Sequence, residues 1–148
     1  MSIDRMFHAV NISASGLAAE RLRMEIVANN IANANSTRTP EGDGPFRRQD
    51  VVFATVLDEQ EMGAPESRRL AGVRAVEIIE DPSELPRIFN PGHPDADADG
   101  FVTMPNVHLP IEMVNLVTAT RSYEAGVRVI QSFREMADRA LSILNQTG

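Results

Sequence analysis

Val27-Ala28-Asn29-Asn30-Ile31-Ala32-Asn33-Ala34-Asn35 sets four asparagines in the last turns of a long helical pattern. Asparagine's short amide competes with the backbone for hydrogen bonds, so each one costs the helix roughly half a kcal/mol relative to alanine. Amides kept at that cost point to pairing, and the stretch reads as the end of a helix built for specific association. Asn33 and Asn35 also suit the helix C-terminus as caps, because asparagine tolerates left-handed backbone. Asn29 and Asn30 lie a turn further in, where polar residues of a helix seam set register and partner. Their partner is either another subunit or the chain's own C-terminal helix.

Upstream, Ile3, Phe7, Val10, Ala14, Leu17, Arg21, Met24, Ala28 and Ile31 follow alternating steps of four and three, with Arg21 as the polar exception. A second seam runs through Met113, Leu116, Thr120, Tyr123, Val127, Ile130, Arg134, Ala137, Leu141 and Leu144, with Thr120 and Arg134 as exceptions. Such seams predict a coiled coil or long helices packed in a bundle. Val117, Phe133 and Met136 widen the second stripe, as in a helix with more than one neighbour. Asp4 suits the cap of the first helix, and Pro110 and Glu112 suit the first turn of the second.

Between the helices, the breaker-rich run from Asn35 to Pro45 reads as a loop. Strands are predicted at 50–57 and 70–79, with a short third at 101–103. The prolines and glycine at 82, 86, 91, 92 and 94 break regular structure across 81–100. Two or three short strands are marginal in water and need the helices or a neighbouring subunit to cover them. The expected fold is mainly α with a small β insert. An N-terminal helix (1–36) and a C-terminal helix (110–148) pack as an antiparallel coiled-coil pair, forming a helical core domain around a loop and β-rich segment (37–109).

The 148 residues suffice for one ordinary core. No apolar run approaches the ~20 residues of a membrane span. The opening Met1-Ser2-Ile3-Asp4-Arg5-Met6-Phe7-His8 lacks a basic segment followed by an apolar one, so no cleavable signal peptide is expected and work outside the cytoplasm needs another export route. With no cysteine, disulfides and thiolate chemistry are excluded. The net charge is −7 and unevenly spread. Residues 1–35 carry three bases and three acids, 36–74 six and seven, 75–110 one and seven, and 111–148 four and four. The balanced ends suit packing against other copies, and nothing resembles the basic stripe of a nucleic-acid binder. All fourteen bases are arginine, which fits either bidentate pairing within interfaces or a GC-rich genome.

Asp95-Ala96-Asp97-Ala98-Asp99-Gly100 has the acid spacing that opens an EF-hand loop, but Asn106 stands where the bidentate glutamate belongs. It reads better as a tight acidic turn. His8, His93 and His108 share no metal-ligand spacing. No nucleophile elbow, Walker loop, dinucleotide fingerprint or zinc-protease motif occurs. No enzyme, cofactor or metal is expected. The seams and the amides supply a candidate assembly interface instead: Phe7, Val10, Leu17, Met24, Asn29, Asn30, Ile31, Asn33 and Asn35 on the first helix, and Met113, Leu116, Tyr123, Val127, Ile130, Leu141 and Leu144 on the second.

Ser15-Gly16-Leu17-Ala18-Ala19 followed by Ala28-Asn29-Asn30-Ile31-Ala32-Asn33-Ala34-Asn35 resembles the N-terminal motif of bacterial flagellar rod and hook proteins. The runs from Thr37 to Gly42, Pro45 to Gln49 and His93 to Gly100 resemble the proximal-rod members of that family, and Glu112 to Leu116 with Arg121 to Ala125 resembles the family's closing helix. Met104, His108 and Gly126 depart from the family pattern, which commonly has tyrosine, asparagine and asparagine there. Gly126 costs a mid-helix position about 1 kcal/mol against alanine, and it permits close helix approach. The resemblance implies a structural subunit of the proximal rod of the flagellar basal body, exported by the flagellar type III apparatus into the periplasm. Such a subunit transmits torque and encloses the export channel. It implies copies of itself, other rod proteins, the export gate complex and the surrounding ring system as partners, with helices weakly stable alone that order on assembly. A soluble coiled-coil adaptor or export chaperone, or a calcium-regulated binding module, would carry some of the same features.

Overall fold

The computed structural model describes residues 3–40, 44–58 and 69–146, the side chains at 3–6, 58, 69 and 144–146 excepted. Its order is α1 (Ile3–Ala32), β1 (Gln49–Asp58), β2 (Arg69–Glu80), β3 (Arg87–Phe89), β4 (Phe101–Thr103) and α2 (Leu109–Gln146). Two long helices thus enclose a β-rich middle in sequence, as the periodicity predicts. The three predicted strands appear within a residue of their expected bounds. β3 is the addition: it lies in the stretch read as irregular and pairs antiparallel with β4, Phe89 opposite Phe101 and Arg87 opposite Thr103. β1 and β2 form a separate two-stranded sheet.

α1 ends at Ala32, short of the expected 36, and passes into a turn. Asn33 closes it with its side chain: Nδ2 donates to the carbonyl of Asn29 at 3.0 Å, and Oδ1 accepts from the Ser36 hydroxyl at 3.1 Å. The left-handed backbone expected of these caps is not used, since among the described residues only glycines have positive φ. Asp4 falls inside the first turn of α1 rather than before it.

The chain divides into two compact units, one of 1–21, 53–76 and 119–148, the other of 22–52 and 77–118. In the first, α1 carries β2. Ser15 Oγ donates to the carbonyl of Ile12 at 2.7 Å and accepts from the Val73 amide at 3.0 Å. Gly72 lies directly over that hydroxyl, with φ +124° and no room for a Cβ, which would sit 2.2 Å from Ser15 Oγ. In the same unit Gly126 brings α2 against Leu17, whose Cδ2 would lie 2.7 Å from a Cβ at 126. The glycine therefore serves close helix approach. The second unit buries Ile26, Val27, Ala34, Phe46, Val51 and Val102, together with the polar Asn30, Asn106 and Glu112.

The predicted seam of α1 is only half inside. Val10, Leu17, Met24 and Ile31 are half-buried, while Phe7, Ala14, Arg21 and Ala28 are exposed. The buried side is turned by one residue, towards Ile26, Val27 and Asn30. Small residues around the seam leave the helical period without a single face to mark, and the column of Phe7, Ala14, Arg21 and Ala28 lies outward. On α2, Leu116, Thr120, Tyr123, Val127, Ile130 and Ala137 are half-buried as predicted. Met113 and Leu141 are exposed, and Leu144 lies outside the described side chains.

Candidate functional site

Asn30 points into the second unit and is completely buried. Its Oδ1 accepts from the Gln49 amide at 2.9 Å, and its Nδ2 donates to the Gln49 carbonyl at 2.8 Å and to Glu112 Oε2 at 3.1 Å. One amide thus mimics a strand partner for the first residue of β1 and fixes α2 at the same time. Of the two partners left open by the sequence, the chain itself holds Asn30. Asn29 is exposed, with one long contact from its Nδ2 to Gln49 Oε1 at 3.4 Å. Asn33 serves the helix end, and Asn35 is exposed.

Glu112, 1% exposed, is the other half of the junction. Its N–H donates to the His108 carbonyl in the first turn of α2. Its Oε1 accepts from Arg48 Nε at 2.8 Å. A carboxyl group buried without a partner is strongly disfavoured, and Arg48 supplies that partner. Burial works against the Arg48 charge, but the hydrogen bond and field of Glu112, with help from Asp50, outweigh it and hold the guanidinium above its ordinary range.

Asn106 extends the network. Its Oδ1 accepts from the Arg48 amide at 2.8 Å, and its Nδ2 donates to the Asp81 carbonyl at 3.1 Å and Ser83 Oγ at 2.9 Å. The Ser83 amide and hydroxyl bond the Asp81 carboxylate and depress its pKa. No buried side-chain nitrogen or oxygen among the described residues lacks a hydrogen-bond partner. Such a closed network ties the end of α1, the start of β1 and the first turn of α2 into one arrangement. Arg48, Asn106, Asp81 and Ser83 were not singled out by the sequence, and Glu112 was read only as an acid suited to the helix dipole. The one available signal was that Glu112 is the sole charged residue between Leu109 and Thr120.

The acidic turn is held by protein donors. Asp95 pairs with Arg38 and accepts from the Thr37 hydroxyl at 2.7 Å. Asp97 Oδ1 accepts from the amides of Phe101 and Asp99, which, with Arg87, lowers its pKa. Among the described residues no group of three or more His, Asp or Glu side chains is placed to hold a metal ion. No described helix is long and apolar enough to cross a membrane.

Two long helices locked through a buried amide–carboxylate junction define a structural protein. The comparisons agree. The family described as "Flagella basal body rod protein" matches residues 11–38, and "Flagellar basal body rod FlgEFG protein C-terminal" matches residues 98–143. Over nearly its full course the chain is similar to proteins named flagellar basal-body rod protein FlgC. Identity is 40% with that of Borreliella burgdorferi (94% of this chain, 97% of the relative) and 40% with that of Bacillus subtilis (93% and 97%). It is 35% with that of Salmonella typhimurium (93% and 97%). The chain belongs to the flagellar basal-body rod protein family, among its FlgC-like members. It is a structural subunit of the rod and not an enzyme.

Proposed function

We propose that this subunit builds the proximal part of the rod, where it transmits torque and encloses the channel through which axial proteins are exported. α1 and α2 act there as an antiparallel coiled-coil pair. Two contacts, each within one of the compact units, support the pairing: Leu17 meets Gly126 in the first, and Asn30 meets Glu112 in the second. The subunit reaches the periplasm through the flagellar type III apparatus. Its neighbours are copies of itself, other rod proteins, the export gate complex and the surrounding ring system.

The observation that carries this reading is the apolar surface left outward on both helices, within the seams and beside them. Phe7 is 62% exposed, and Met113, Val114, Met136, Leu141 and Ile143 are also exposed. A lattice of heterologous contacts needs such faces on opposite sides of each subunit. Val10, Leu17, Met24, Ile31, Leu116, Tyr123, Val127 and Ile130 steady the pair from inside, and Leu144 continues the second seam. Asn30 acts indirectly, by holding the helices in register.

Phe7→Asp and Leu141→Asp test the reading in swimming cells, because both positions are exposed and the substitutions spare the fold. The expected result is loss of motility and of assembled rods while the variants are still released through the export apparatus. Normal swimming by both variants, or a stable soluble dimer of the wild-type chain in dilute light scattering, would sink the proposal.

A further inference from the structure

The outward faces of the two helices carry a matching pattern. On α1, Phe7, Asn11, Ala14 and Ala18 are exposed and follow one another at steps of four, three and four, so they form one column. Charge enters that column only at Arg21 and then at Glu25, both exposed. On α2, Ile111, Met113, Val114 and Val117 are 52–65% exposed, while Glu112, the one charged residue among them, is buried. Charge returns to the exposed face at Arg121, Glu124 and Arg128. Each helix thus shows a run of uncharged outer face followed by charges of alternating sign. All these outer side chains are exposed in the single chain, so the two faces do not cover each other within it. Exposed apolar surface of this extent marks a protein contact, and one chain carries both halves of a candidate pair.

The charges select a register. When the two faces run in the same direction with Ala14 beside Val117, Phe7 falls beside Pro110, Asn11 beside Val114, Arg21 beside Glu124 and Glu25 beside Arg128. Arg121 meets the small Ala18, where its stem has room. Sliding one helix by a turn sets Arg21 beside Arg128 or Arg121 instead. Partners within each chain do not cancel that preference, because the wrong register still brings guanidinium against guanidinium. With the uncharged runs matched in the opposite direction, Arg21 passes beyond the start of α2 at Leu109. We propose that the outer face of α1 in one copy lies along the outer face of α2 in the next, both running the same way, with Ala14 beside Val117 and Arg21 beside Glu124. The inference rests on the rod reading above and names the faces through which copies meet. The contact is heterologous, so it propagates to further copies instead of closing as a pair.

The chain has no cysteine, so introduced cysteines report contacts without background. Motile cells express two forms of the full chain, a tagged one with Ala14→Cys and an untagged one with Val117→Cys, and their basal bodies are isolated and oxidised. A disulfide needs Cβ atoms about 4 Å apart, so it forms only between positions that lie side by side. The expected product links tagged to untagged copies and exceeds any link between like copies. Arg128→Cys in place of Val117→Cys moves the partner about 16 Å along α2 and should give no link. Glu124→Arg on the Val117→Cys form sets two guanidiniums together and should cut the yield about threefold, the scale of an exposed charge pair. Arg21→Glu on the Ala14→Cys form should restore it, and because the two changes sit on different copies, repair within one chain does not explain the rescue. Basal bodies that lack the wild-type chain would overturn the rod reading itself. Basal bodies that hold both forms but give no tagged–untagged link, an equal link from Arg128→Cys, or no rescue by Arg21→Glu would overturn this proposal alone.

Discussion

At the scale of single residues, one amide does what an ordinary helix position does not. Asn30 satisfies both backbone groups of Gln49 and one oxygen of Glu112. Asn30→Ala would leave the Gln49 amide and Glu112 Oε2 without those partners in a buried site, a loss of about 1–3 kcal/mol for such a group. Asn30→Asp is worse near neutral pH, because a carboxylate placed where Nδ2 now lies, 3.1 Å from Glu112 Oε2, opposes a like charge. That repulsion raises a carboxyl pKa in the folded variant above its unfolded value. The variant's folded state then binds the extra proton more tightly than its unfolded state, so it regains stability as pH falls and loses it as pH rises through the raised pKa. Urea unfolding of the two variants between about pH 7 and about pH 5 should show Asn30→Asp approaching Asn30→Ala from below. A gap that stays constant or widens on acidification would contradict the arrangement.

At the scale of elements, the helices and the longer strands were legible because their patterns run over many residues. β3 was not. Arg87–Phe89 is three residues long, lies between Pro86 and Asn90-Pro91, and is a strand only because β4 lies beside it. The junction was half legible: the asparagine cluster marked α1, but its partner Glu112 stands 82 residues away, and Arg48 lies between the predicted loop and the predicted strand at 50–57. Helical periodicity cannot pick one face of α1 when small residues such as Ala14, Ala18, Ala19 and Ala28 surround it, and so the register of burial was missed. The Ser15–Gly72 contact gives the element-scale prediction. Gly72→Ala forces a side chain against Ser15 Oγ at a left-handed φ and should cost about 2 kcal/mol or more. It should speed hydrogen exchange at the Val73 amide. Ser15→Ala removes the hydroxyl that the new Cβ would strike, so the double variant should lose less than the sum of the two. Strict additivity would mean that β2 does not rest on α1 there.

At the scale of the whole molecule, α1 and α2 are helices of 30 and 38 residues; α1 keeps Phe7 in water, and α2 keeps a series of large apolar side chains there, from Leu109 to Ile143. Most helical stability in proteins comes from packing an apolar face, and here part of that packing awaits a neighbour. The isolated chain should therefore be less helical at low concentration than in the full-length helices of the structure, with ellipticity deepening as concentration rises. Circular dichroism that is fully helical and independent of dilution would refute this.

The junction also sets a clock. The groups that close it come from α1, the start of β1 and the first turn of α2, and Leu17 waits for Gly126 across still more chain. Contacts that span so much sequence form late and slowly, because the loop must close before they repay it. A chain whose first and last elements are each other's partners stays incomplete for as long as its second helix is missing. It is thereby kept from committing to its final shape while the chain is still emerging from the ribosome.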